Sequence, residues 1–378
     1  LDDTEDLNRL IAELNTDARR EDLPEAERLG RWLAELHDRG GSDLLLVAGA
    51  PASIRVDGAV AALPGEPLSG EEIEDAVLPA LSPMLRARFR QGESADGSYK
   101  VRGLGRFRIN LHRERGRAAA AVRALPAKPP RLATLGLPPG AETLTRLPRG
   151  LVLVGGPTGS GKTTTLAALV EEINQRDARH VITIEDPIEY EHSHRRSLVE
   201  QVEIGTDAPD FPTALRAAVR QAPDVLVVGE MRDPETMRIA LAAAETGHLV
   251  LTTVHTSDAA SAVSRVADSF PDERQATIRQ ELSMALAAVL TQTLLPRRGG
   301  GRAAAAELLM VGYGARQHIR RNALQHLHQE ITLTRRQGSS TLEESLARLV
   351  RDGAVDVEEA RARAAHAEDF ETYLRGGN

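Results

Sequence analysis

The run Gly156-Pro-Thr-Gly-Ser-Gly-Lys-Thr163 narrows what this chain can fold into more than any other feature. It is a complete G-x-x-x-x-G-K-[ST] loop. The apolar run Leu151-Val-Leu-Val154 precedes it, and Leu166, Leu169, Val170 and Ile173 follow at helical spacing. Strand, glycine-rich loop and helix in that order make a phosphate cradle: glycines let backbone N–H groups wrap the anion, and the helix N-terminus adds the positive end of its dipole. The expected contacts are Gly156, Pro157, Thr158, Gly159, Ser160, Gly161, Lys162, Thr163 and Thr164. Lys162 reaches the β- and γ-phosphates, and the Thr163 hydroxyl suits Mg²⁺. No Asn-Lys-x-Asp guanine-reading motif occurs, so ATP is expected rather than GTP.

Three further apolar runs end in polar clusters. His180-Val-Ile-Thr-Ile184 leads into Glu185-Asp186-Pro187, Val225-Leu-Val-Val228 into Gly229-Glu230, and His248-Leu-Val-Leu-Thr-Thr-Val254 into His255. Short apolar strands alternating with helices predict a parallel α/β sheet, and ligands of such sheets bind at the carboxyl ends of the strands. All three clusters should therefore converge on the loop edge. Glu230 is placed to orient and polarise the attacking water; a helix-capping or salt-bridging Glu is the alternative. Glu185 and Asp186 suit Mg²⁺-bound waters or the positioning of the nucleophile, against a role as turn acids before Pro187. His255 suits a sensor of the γ-phosphate, against a core histidine. Seven residues away, His248 should face the other side of the strand if period-two alternation holds. Asp233-Pro234 should cap the following helix and Gly247 should end it.

The rest of the chain bounds the function class. Net charge is −8 and aromatic residues are 3%, which argues against a general nucleic-acid binder. With no cysteine, disulfides, thiol catalysis and Cys-based zinc sites are excluded. No apolar run reaches membrane-span length, and the acidic first residues lack the pattern of a secretory signal, so a cytoplasmic protein is expected.

At 378 residues, several domains are expected. Residues 1–28, with Leu7, Leu10, Ile11 and Leu14 at helical spacing, read as an N-terminal arm that is either a short amphipathic helix or poorly ordered. Residues 29–125 mix helix with strands at Ser42-Asp-Leu-Leu-Leu-Val47, Ile54-Arg-Val56 and Arg106-Phe-Arg-Ile-Asn110, an α+β domain. Residues 126–148, rich in Pro and Gly, read as a linker. Residues 149–298 form the α/β core, and residues 299–378 read as mainly helical. There Ser340-Thr-Leu-Glu343 is a capping box before the face of Leu342, Leu346, Leu349 and Val350.

In this order these residues resemble the secretion ATPase superfamily of type II secretion and type IV pili. Gly156-Pro-Thr-Gly-Ser-Gly-Lys-Thr-Thr164 is similar to its Walker A loop and Thr183-Ile-Glu-Asp-Pro-Ile-Glu189 to its Asp box. Val228-Gly-Glu-Met-Arg-Asp233 is similar to its Walker B segment, and Thr246-Gly-His-Leu-Val250 with His255-Thr256 to its His box. Gln292-Thr-Leu-Leu295 also matches. The resemblance spans roughly residues 30–355. The short N-terminal part, the missing cysteine cluster and Met231 point to the retraction (PilT-like, twitching-motility) branch.

The resemblance implies a RecA-like core with a PAS-like N-terminal domain. It also implies a homohexamer at the inner membrane, peripheral to it, that acts on a membrane platform protein without direct nucleic-acid contact. Arginines of the N-terminal domain, here Arg108, Arg115 or Arg123, would reach ATP across a domain or subunit interface. One departure stands out. Gly314-Ala-Arg-Gln-His-Ile-Arg-Arg321 keeps the spacing of Arg316, Ile319 and Arg320 in the branch's C-terminal motif, but Arg321 replaces its acid. An accessory retraction motor, or a related secretion or DNA-uptake ATPase, is the alternative reading.

Overall fold

The computed structural model describes residues 26–376. The amphipathic pattern of Leu7, Leu10, Ile11 and Leu14 lies outside the described residues. The chain divides into two compact units after Ala127.

The first unit is built on a six-stranded antiparallel sheet. Its strands are β1 (Asp43–Val47), β2 (Ser53–Val56), β3 (Ala59–Ala62), β4 (Ala95–Val101), β5 (Gly105–Glu114) and β6 (Arg117–Ala124), in the order β3-β2-β1-β6-β5-β4. Side chains of a strand alternate between faces. Leu44, Leu46, Phe107, Ile109 and Leu111 accordingly enter one core. Helix α1 (Ala26–Asp38) covers it with Leu29, Leu33 and Leu36, α2 (Gly70–Val77) with Ile73 and Val77, and α3 (Pro83–Arg90) with Leu85 and Phe89. Ser69 caps α2 through a reciprocal capping box with Glu72.

The second unit holds a seven-stranded sheet: β7 (Gly150–Gly155), β8 (His180–Glu185), β9 (Leu198–Glu203), β10 (Val225–Val228), β11 (Leu249–Val254), β12 (Leu286–Pro296) and β13 (Arg302–Met310). Their order is β13-β12-β7-β11-β10-β8-β9. Every neighbouring pair is parallel except β12 with β13. Both faces are covered, as a parallel sheet requires. On one side Leu151 and Leu153 join Met237, Leu241, Val263 and Leu282. On the other, Val152 and Val154 join Leu166, Leu169, Val170 and Ile173. The α/β class expected from the alternation of strands and helices holds.

Three local expectations change. Residues 126–148 do not run as a plain linker: short 3₁₀ turns at Leu132–Thr134 and Pro139–Arg146 bury Leu132 and Leu144 against the second core. Pro and Gly shape tight turns here, while the leucines between them need burial. Residues 299–378 are not helical from the start, because β13 lies in the sheet. The alanines at 303–306, like those at 118–121, are helix formers by propensity but sit in strands. Pairing with β12 and the cover of Leu346 and Ala347 outweigh that weak preference. The cap before the helix Leu342–Arg351 is Thr341, which accepts from the Glu344 amide at 3.2 Å, rather than Ser340. The Ser340 backbone is taken up in a bridge to Leu308.

Candidate active site

The loop leaves the carboxyl end of β7 and enters helix α4 (Lys162–Arg176). Gly156, at φ +147°, has no room for a side chain: a Cβ would stand 2.3 Å from Ser160 Oγ and 2.5 Å from the Gln292 carbonyl. Gly161 caps the helix at φ +90° and supplies no side-chain acceptor, which leaves the first amides of α4 to an anion. The Ser160 hydroxyl and the Thr256 hydroxyl after β11 are buried without a hydrogen-bond partner among the described residues. Orphan hydroxyls, capless amides and glycine-only backbone fit a phosphate and its hydrated cation.

Lys162 is buried, and its Nζ donates to the carbonyls of Gly156 at 2.9 Å and Pro157 at 3.0 Å. Burial pulls its pKa below the usual lysine value, with the Glu230 charge acting the other way. Glu230 stands just beyond β10, its Oε1 2.7 Å from the Arg232 Nε. Thr253 on β11 donates to the Gly229 carbonyl at 2.6 Å and ties this corner to the next strand. Asp233 caps the following helix (Pro234–Glu245), accepting from the Thr236 amide at 2.8 Å, and Gly247 turns the chain at φ +122°. Arg232 therefore braces the corner. The Arg232 side chain is largely exposed, while that of Glu230 is not.

His255 directly follows β11. Burial lowers its pKa first, and the positive charges of Lys162, Arg232 and Arg265 lower it further. Lys162, Glu230 and His255 thus share one electrostatic neighbourhood, although they are far apart in sequence. His248 precedes β11 instead, at the opposite end of the sheet, and its Nδ1 is 2.9 Å from the Ala243 carbonyl. The two histidines differ by end of strand, where period-two alternation alone had placed them on opposite faces.

Glu185 ends β8, and its Oε1 accepts from Thr183 Oγ1 at 2.6 Å and Gln201 Nε2 at 3.1 Å. Asp186 beside it is exposed. Thr163 and Thr164 are half-buried in the first turn of α4, and Thr164 Oγ1 meets the Tyr190 hydroxyl at 3.0 Å. The three arginines belong to the first unit. Arg123 is paired in register with both Asp43 and Arg108. Its Nε bonds Asp43 at 2.8 Å, and Arg108 pairs with Asp96 at 3.2 Å. Arg115 stands apart in the β5–β6 turn at φ 48°, beside Glu114.

One residue escaped the sequence reading as part of the site. Gln292 on β12 accepts from Thr165 Oγ1 at 2.8 Å and donates to the Ser160 carbonyl at 2.6 Å, clamping the loop to the helix behind it. An amide inside the apolar β12 run is the signal that could have found it.

The family model described as "Type II/IV secretion system protein" matches residues 118–362. The chain is 42% identical to the type IV pilus retraction ATPase PilT of Pseudomonas aeruginosa over 332 residues, 88% of this chain and 96% of that protein. It is 37% identical to the type IV pilus ATPase PilU of the same organism over 355 residues, 94% and 92% of the two chains. A crystal structure of the pilus retraction motor PilT with bound ADP superposes with a TM-score of 0.81. That match has 41% identity and covers 90% of this chain and 97% of that one.

Proposed function

Because this chain belongs to the type II/IV secretion system protein family, we propose that it works as a homohexameric motor that hydrolyses ATP to drive pilus retraction through a membrane platform protein. It is an ATPase of the pilus retraction kind. The observation that carries the hydrolysis part of this reading is that Lys162 feels the charge of Glu230, and His255 that of Lys162, at the carboxyl end of the parallel strands.

In this reading the loop amides and Lys162 bind the phosphates, and Lys162 exchanges its carbonyl partners for phosphate oxygens. The Glu230 carboxylate orients the attacking water and takes its proton. Arg232 holds that carboxylate in place. His255, whose surroundings favour the neutral ring, offers a ring nitrogen to the γ-phosphate side. Thr163, Glu185 and Asp186 are the residues that would hold Mg²⁺, which supplies charge neutralisation to the phosphates. Arg108, Arg115 and Arg123 are the candidate fingers, acting on a neighbouring copy's ATP. No helix among the described residues is long and apolar enough to cross a membrane, which suits attachment through a partner at the inner membrane.

The test is a mixing experiment. Arg123→Ala and Lys162→Ala chains, each inactive alone, should regain part of the ATPase activity together if fingers act in trans. Full specific activity in a verified monomer would end the ring reading and leave the ATPase. A second reading, an accessory retraction motor, is favoured by one observation: Arg321 occupies the acid position of the retraction motif, at the exposed end of the helix Tyr313–Arg320. Restoring an acid with Arg321→Glu should improve retraction in cells if this position matters, with hydrolysis unchanged.

A further inference from the structure

Two segments far apart in sequence bring three metal-ligating side chains together in the C-terminal part of the second unit. His328 lies in the first turn of the helix Leu327–Leu333, while His366 and Asp369 open the helix Ala367–Leu374. One ligand atom from each lies within 4.8 Å of the others. His328 Nε2 is 3.7 Å from Asp369 Oδ2, and the two imidazole rings are 4.2 Å apart at a tilt of 40°.

The frame around them is rigid. Leu327 and Ile331 bury one helix, and Phe370 buries the other. The buried carboxylate of Glu343 accepts from the Ala365 and His366 amides at 3.0 and 2.9 Å, which fixes the backbone that carries His366. His366 makes no side-chain cap bond to its own helix.

From this geometry we propose that His328, His366 and Asp369 form a binding site for a borderline divalent transition-metal ion, Zn²⁺ foremost. Two imidazoles with one carboxylate select such an ion over Mg²⁺ or Ca²⁺, which prefer all-oxygen sets. Tetrahedral zinc with bonds of about 2.0–2.1 Å holds its donors about 3.3 Å apart. From the present spacing of at most 4.8 Å the donors have to close by no more than about 1.5 Å. Water or a group from a partner completes the fourth position, since Asp369 and His366 are exposed. A bound ion would pin the last helix to the helix Leu327–Leu333, remote in sequence from the ATPase motifs.

The full chain, stripped with chelator and free of nucleotide, is titrated with Zn²⁺ by calorimetry and then heated with and without the metal. One equivalent should bind in the micromolar range or tighter, and the melting temperature should rise. His328→Ala and His366→Ser, each compatible with its helical position, should weaken binding by about tenfold or more and abolish the rise. His326→Ala, two residues from His328, should change neither. Melting of the variants without metal separates loss of the site from loss of fold. Absence of stoichiometric binding by the wild-type chain would show a stacked imidazole pair only. Equal binding by the two ligand variants, or an equal loss in His326→Ala, would show a diffuse histidine surface. Each of these results overturns the site.

Discussion

The two ends of the seven-stranded sheet carry the same kinds of residue and do different work with them. At the amino end of the parallel strands every polar group named here is spent on backbone. Asp224 accepts from the His180 amide at 2.8 Å, its own carbonyl takes the Leu249 amide, and His248 meets the Ala243 carbonyl. At the carboxyl end, Ser160 and Thr256 have buried hydroxyls with no partner among the described residues, and Lys162 is desolvated near Glu230. The difference follows from strand direction. The helices after β7 and β10 begin at the carboxyl end, so their positive dipole ends and the uncapped amides of α4 collect there. In the function proposed above, the end of the strand that a histidine occupies decides whether it serves structure, as His248 does, or chemistry, as His255 would.

Substitutions at the carboxyl end should therefore change chemistry or the protonation of buried groups, and those at the amino end only the packing that holds the fold. Lys162→Ala should give the largest effect, a loss of nucleotide affinity of about 10³-fold from removing its charge-assisted bonds. Equilibrium binding of a fluorescent nucleotide measures it, and near-wild-type affinity would remove the loop from the site. Glu230→Gln keeps the shape but cannot accept a proton. Steady-state turnover should fall by about 10²-fold with nucleotide still bound. If turnover is unchanged, Glu185 becomes the next candidate.

A third test concerns Glu307, which lies in the row of Thr291 and Gly155 at the carboxyl end of β7. Burial, aided by Asp258 and Glu343 and opposed by the Ala259 amide, pushes its pKa up to about 7. The folded chain thus keeps a proton that the unfolded chain releases near the ordinary value of 4.5. The stability this provides is complete below pH 4.5 and is lost as pH rises to 7. Glu307→Gln is neutral throughout and should gain on the wild type by up to about 3 kcal/mol between those limits. Denaturant midpoints at pH 5 and pH 8 would show it, and parallel shifts in both proteins would refute it.

The smallest effect sharpens the comparison most. His255→Ala should slow turnover by about tenfold, the size expected for losing one hydrogen bond to the γ-phosphate side. His248→Ala should leave turnover intact and lower only the melting temperature. Equal ATPase rates for the two variants would erase the functional difference between the ends.

Much of this was legible in the chain itself. The loop at 156–163 needs only local backbone chemistry, so eight contiguous residues announce it. The apolar runs before Glu185, Glu230 and His255 announce parallel strands, and topology then puts their ends on one edge. The first sheet's strands were legible for the same reason, through alternation in Arg106-Phe-Arg-Ile-Asn110. Less legible were elements whose local preference is weak or misleading. The alanine runs could have been helix, and the Pro-Gly stretch at 126–148 a free linker.

By itself, then, the sequence determined the phosphate loop, the alternation of strands and helices, and the family to which they belong, because short-range pattern encodes each of them. Only the tertiary structure decided that Gln292 clamps the loop, that Thr341 rather than Ser340 caps its helix, and that His328 meets His366 and Asp369. Those pairings join residues tens to over a hundred positions apart, or turn on a neighbouring strand claiming a backbone group. No local preference specifies them; packing does, when buried polar groups and small side chains find the partners that the assembled sheet brings within reach.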